Sequence, residues 1–71
     1  MEKELKQIFR NFKDVKVSNV NLMNEKLTVR VMADNHVMEF STKTSCNEIS
    51  DDLIIQCLRT HERRIQSVHI E

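Results

Sequence analysis

Cys57 and His61 stand four residues apart in a stretch of helical periodicity, a spacing that sets a thiol and an imidazole on one helix face. Cys46 and His69 are the side chains that would complete a four-coordinate metal site. The same Cys-His pair is also the raw material of a thiol nucleophile and its base. Geometry argues against both. If the helix starts at Cys46, the eleven residues to Cys57 rise about 1.5 Å each and part the thiols by about 16 Å, too far for one metal or a disulfide. A catalytic pair also needs a cleft and an oxyanion site, and a two-layer fold without glycine offers little concavity. The two cysteines read as reduced, small core residues and His61 as a boundary or core histidine. His36, beside a turn, reads as solvent-exposed. No metal, no cofactor and no catalytic residue is expected, and the chain is not expected to be an enzyme.

Cations form a second constellation. Lys3, Lys6, Arg10 and Lys13, continued by Lys16, fall opposite the apolar stripe Met1, Leu5, Ile8, Phe9 and Phe12. Residues 1–30 hold seven Lys/Arg against four Asp/Glu, and residues 31–71 four against seven, so charge is segregated although the net charge is zero. A basic helix face collects phosphates, which makes nucleic-acid binding through helix one the alternative reading. The absence of tyrosine and tryptophan removes the usual base-stacking platforms, and a solvated face that keeps the domain soluble needs the same residues.

The elements that position these residues follow from two periods. Helix one is expected to run to about Asp14, where the repeat changes from 3.6 to 2. From Val15 to Thr44 one register sets apolar opposite apolar throughout. With Asp34-Asn35 as a two-residue hairpin turn, Ala33 faces His36, Val31 faces Met38 and Val29 faces Phe40. Met32 then faces Val37 and Arg30 faces Glu39 on the other side of the sheet, the second an opposite-charge pair. A four-residue loop Met23-Asn24-Glu25-Lys26 brings Leu22 opposite Leu27 and Val20 opposite Val29. Val15 and Val17 are one step out of phase, which predicts a bulge near Ser18-Asn19.

Helix two is expected to begin at the capping box Ser45-Cys46-Asn47-Glu48 or at Ser50-Asp51-Asp52, and to run to about Gln66. Residues Val68-His69-Ile70 read as a frayed last turn or a short strand. The expected fold is therefore α+β in two layers, α-β-β-β-α, with a three-stranded antiparallel meander and both helices on one sheet face. Its core is expected to contain Leu5, Phe9, Phe12, Val29, Val31, Phe40, Leu53 and Leu58.

Helix, three-stranded meander, helix is also the order of elements in double-stranded-RNA-binding domains, and the length is similar. The resemblance is one of topology. That family reads RNA with a histidine-containing loop between its first two strands and a lysine-rich start to its second helix. Here the loop is Met23-Asn24-Glu25-Lys26 and the second helix opens on Glu48, Asp51 and Asp52, which repel phosphate. No functional residue is carried over.

What remains is apolar surface. Met32 and Val37 make an island on the wet sheet face, Met23 is expected near it at the loop, and Ile55 stands at the edge of helix two's stripe. Two outer strands are left without neighbours. The leading expectation is a small regulatory module that docks on another protein through Met32, Val37, Met23 and Ile55, with a homodimer as one form of that contact. A chain of 71 residues fits one domain. Its 39% hydrophobic and 31% charged residues exclude both disorder and a membrane span, so no membrane partner is expected. MEKELKQ opens directly on an amphipathic pattern with no signal-peptide core, which points to the cytoplasm. Glycine and proline are absent, while Asn, Lys, Ile and Glu are plentiful. That composition suits an AT-rich genome such as a phage, a mobile element or an AT-rich bacterium.

Overall fold

The computed structural model describes residues 1–68. In chain order the elements are α1 (Glu2–Ile8), β1 (Val15–Met23), β2 (Lys26–Ala33), β3 (His36–Lys43), α2 (Asp51–Thr60) and α3 (Glu62–Gln66). The three strands form one antiparallel sheet in the order β1-β2-β3, and the helices pack on one of its faces. This is the α+β meander expected from the alternation. Among the described residues no helix is long and apolar enough to cross a membrane.

The register is the one that side-chain parity requires. Ala33 pairs with His36, Val31 with Met38, Val29 with Phe40, Arg30 with Glu39 and Met32 with Val37. Val20 pairs with Val29 and Leu22 with Leu27, and the ladder slips between Val17 and Asn19, which places the bulge at Ser18. The Ser18 hydroxyl donates to the Arg30 carbonyl oxygen at 3.2 Å and so occupies the gap in the ladder. Both hairpin loops have two residues, because Met23 and Lys26 pair as the last rung of β1 and β2 rather than standing in the loop. Asn24, Glu25, Asp34 and Asn35 all take positive φ, at 53°, 60°, 48° and 69°. These are the left-handed turns that suit the twist of a hairpin, built here without glycine.

Leu27, Val29, Val31 and Ala33 of β2 are fully buried, as are Ile8, Phe9 and Leu58, and Leu5, Phe40, Leu53, Ile54, Cys57 and Ile65 complete the core. Phe12 belongs at its margin. It is half-buried and packs tilted on Phe9 with ring centroids 5.9 Å apart.

Helix one is shorter than its periodicity. It ends at Ile8, and Phe9 leaves the helical region at φ −101°, ψ 39°. The segment after it is fastened to the β2–β3 turn. The Asp34 carboxylate accepts the main-chain N–H of Asp14 at 2.8 Å and of Lys13 at 3.1 Å, while the Asp34 N–H donates to the Asp14 carbonyl at 3.0 Å. Residues held this way cannot also make helical hydrogen bonds.

The second helical segment starts at Ser50 and not at Ser45. The Ser50 side chain accepts the Leu53 N–H at 3.2 Å, and Asp51 and Asp52 occupy the first turn. It is also not continuous. His61 (φ −103°, ψ 8°) separates α2 from α3, and Ile65 beyond it is buried in the core. The α1 and α3 ends are locked by side-chain amides. Asn11 Nδ2 donates to the carbonyls of Ile65 (3.2 Å) and Val68 (3.0 Å), and Gln66 Nε2 donates to those of Ile8 (3.2 Å) and Gln7 (3.4 Å). The alternatives for 68–70 fall largely on His69 and Ile70, outside the described residues.

Candidate functional site

On the sheet face away from the helices, the ladder arranges side chains in rows across the three strands. Lys16, Met32 and Val37 form the row at the Asp34-Asn35 end, Asn19, Arg30 and Glu39 the next, then Asn21, Thr28 and Ser41, and finally Met23, Lys26 and Lys43. Met32 is half-buried among its neighbours and Val37 is 58% exposed. Arg30 Nη2 lies 3.2 Å from Glu39 Oε2, so the charges of the second row neutralise each other beside the island. Thr28 and Ser41 hydroxyls lie 3.3 Å apart in the third.

The four candidate docking residues do not share one surface. Met32 and Val37 are cross-strand neighbours. Met23, 61% exposed, occupies the opposite end of the sheet, six residues along β2 and therefore about 20 Å away. It lies beside exposed Ile49 and Cys46 in a shallow hollow whose charged members are Glu25 and Glu48. Ile55 belongs to the helical layer, half-buried against the core. The expectation that Met23 extends the Met32 island is therefore corrected by the register itself, and Ile49, its actual neighbour, lies in an irregular segment with no period to single it out.

The cations of helix one are brought together. Lys3, Lys6 and Arg10 line an open groove between α1 and the second helical segment, and Arg59 of α2 adds a fourth positive group. Two carboxylates share it. Glu2 lies 3.7 Å from Lys6 and Glu62 lies 3.7 Å from Arg59. Lys13 lies beyond the helix, in an adjoining hollow with Lys6 and Lys16. Arg59 escaped the sequence reading because its approach to α1 is set by how the two helices cross on the sheet.

The thiols and imidazoles go separate ways. Cys46 is exposed and its N–H donates to Thr44 Oγ1 at 3.1 Å, while Cys57 is buried in the core. Burial pushes the Cys57 thiol above its ordinary pKa, and a hydrogen bond with the Thr42 side chain acts in the opposite sense. His61 Nε2 lies 3.2 Å from the Ser41 carbonyl oxygen, and its ring packs on Phe40 at 5.3 Å between centroids. Among the described residues no three His, Cys, Asp or Glu side chains gather to hold a metal ion. His69 lies outside those residues.

The Asp34 carboxyl is held below its ordinary value of 3.8, first by the Asp14 N–H and then by the Lys13 N–H. Its hydrogen bonds tie the hairpin turn to the segment after α1, which makes its role structural.

No family model matches the chain, and neither a curated protein nor a solved structure is significantly similar to it.

Proposed function

We propose that the chain is a small cytoplasmic interaction module that regulates another protein by docking on it through the uncovered side of its sheet, with Met32 and Val37 as the anchor. The supporting observation is the bare face itself. Among the described residues every helix covers the opposite side, and a 58% exposed valine stands next to a methionine with the Arg30-Glu39 pair as its polar rim. Buried apolar contact supplies affinity, whereas rim charges mainly tune encounter. The reading includes no catalytic step, since Cys57 is buried and His61 is held against Ser41. Accessory proteins of phages and mobile elements act in this way, and the glycine-free composition fits such a source.

The second reading is nucleic-acid binding by Lys3, Lys6, Arg10 and Lys13. The meeting of three of them with Arg59 in one groove favours it. The pairing of Glu2 with Lys6 and of Glu62 with Arg59 places it second.

The test compares Met32→Lys with the double variant Lys6→Glu, Arg10→Glu in affinity capture from the native host, after each is shown to fold. The docking reading requires Met32→Lys to lose the captured protein and the double variant to change mainly its salt dependence. Loss of all binding in the double variant, with RNA or DNA as the lost ligand and retention on filters falling steeply between two salt concentrations, replaces it with the second reading.

A further inference from the structure

The end of the sheet away from Met32 has a surface of its own. Met23 and Ile49, 61% and 48% exposed, are two of the three most exposed large apolar side chains among the described residues, and both line the hollow that also holds Leu22 and Cys46. They meet only through the fold, since Met23 ends β1 and Ile49 lies in the irregular segment before α2. Among the described residues the charged side chains lining this hollow are carboxylates alone, Glu25 and Glu48, both exposed and neither in an ion pair. Just beyond it α2 opens on Asp51 and Asp52, also exposed. Lys26 and Lys43 stand in the outer-face row with Met23 and pair with none of these acids. Val68, where the described chain ends, lies beside Met38, toward the opposite end of β3.

We infer that this hollow is a further docking surface, separate from the Met32-Val37 anchor, and that it takes a protein segment carrying lysine or arginine beside apolar side chains. Two features select that chemistry. Met23 and Ile49 present apolar surface that an apolar side chain covers best, and the flexible thioether of methionine adapts to its shape. Glu25 and Glu48, with Asp51 and Asp52 behind them, attract cations and repel phosphate or acidic protein, so a nucleic acid does not fit here. Lys26 and Lys43 set the orientation. The incoming cations belong on the Glu25-Glu48 side, and the apolar side chain belongs over Met23 and Ile49. A second copy of the chain would offer its basic groove of Lys3, Lys6, Arg10 and Arg59, but no apolar side chain lines that groove to meet Met23 and Ile49.

The experiment titrates the full, isotope-labelled chain with short capped peptides of alternating lysine and leucine, or glutamine and leucine, and reads amide chemical shifts. The lysine-leucine peptide is expected to move the amides of Met23, Glu25, Cys46, Glu48 and Ile49, and to slow the reaction of the Cys46 thiol with a disulfide reagent. The glutamine-leucine peptide should bind there more weakly. The double variant Glu25→Gln, Glu48→Gln should weaken the lysine-leucine peptide by roughly threefold to tenfold, the scale of two exposed ion pairs. Ile49→Ser, at an exposed position outside the core, should weaken both peptides. Equal affinity of the two peptides for the hollow overturns the basic partner. Shifts that avoid the hollow, or none at all, overturn the site. Shifts in the hollow and at Lys3, Lys6, Arg10 and Arg59 that grow with protein concentration alone assign it to a second copy and overturn the separate partner. Docking through Met32 and Val37 is tested by Met32→Lys and stands or falls independently of these results.

Discussion

Asn11 and Gln66 each cap the helix that the other one follows or ends. The Asn11 amide takes the carbonyls of Ile65 and Val68 at the end of α3, and the Gln66 amide takes those of Gln7 and Ile8 at the end of α1. Terminal carbonyls have no partner within a helix, and short helices such as these have few turns over which to spread that cost. Asn11→Ala and Gln66→Ala are each expected to cost about 0.5–1.5 kcal/mol in urea denaturation. Because both amides fasten the same pair of helix ends, the double variant should lose less than the sum of the two.

Asp34 makes the fold sensitive to acid. Its folded pKa lies below the ordinary 3.8, so its contribution to stability is fully present above that value and is lost as pH falls through the lowered folded one. Asn tolerates the positive φ of this position but carries no charge to titrate. The melting-temperature gap between wild type and Asp34→Asn should therefore hold steady from neutral pH down to about 5 and narrow below the ordinary carboxylate value. A gap that is the same at pH 2 and pH 7 would show that the two N–H contacts do not favour the carboxylate.

Two buried positions, Phe9 and Val29, and one at the core margin, Phe12, differ in expected cost. Phe9 is fully buried, and Phe9→Ala should cost on the order of 3–5 kcal/mol, a large share of what a domain of this size has. Val29, fully buried in the central strand, should also show a large loss when cut to alanine. Phe12→Ala should cost visibly less than Phe9→Ala, since Phe12 is only partly buried. Chemical denaturation of the three variants gives the ranking.

Thiol chemistry separates the cysteines. Cys46 should react with a disulfide reagent in the native protein, while Cys57, buried and with a raised pKa, should react only as fast as the core opens. Two equal fast phases in the native state would contradict the burial of Cys57.

Glu25 sits at φ 60°, a region that costs a residue with a Cβ roughly 1–2 kcal/mol and glycine almost nothing. Glu25→Gly should stabilise the chain by on the order of 1 kcal/mol, read as a rise in the urea midpoint.

The meander was legible because two constraints of period 2 agree. Once Asp34-Asn35 is a turn, the pairing of Val29 with Phe40 and of Arg30 with Glu39 follows together, and a slip by one residue would reverse every side chain. The helix limits were not legible. Leu58, His61 and Ile65 keep helical spacing straight through the break, and the contacts that accompany it come from Phe40 and Ser41, on a strand some twenty positions earlier. Helix one likewise stops at Ile8 within its apolar period, and Asp14 in the segment after it is tied to Asp34, twenty positions further on. For the candidate sites, Lys3, Lys6 and Arg10 could be grouped from their spacing on one helix, whereas Arg59 depends on a helix crossing. The distance from Met23 to Met32 was implicit in the register all along, since six residues of β2 part their rows.

The bonds made by Asn11 and Gln66 bridge 54 to 59 positions, whereas each hairpin joins neighbours in the chain. A ribosome delivers the chain in that order. The three strands can zip as soon as β3 is free of it, but the apolar side holding Leu27, Val29 and Phe40 must wait for α2 and α3 before it is fully roofed. At about 5–20 residues per second the interval is on the order of a few seconds. During it a half-made molecule shows its neighbours on the same messenger a sheet with an open greasy side, so α2 and α3 shield the nascent sheet as well as completing the core.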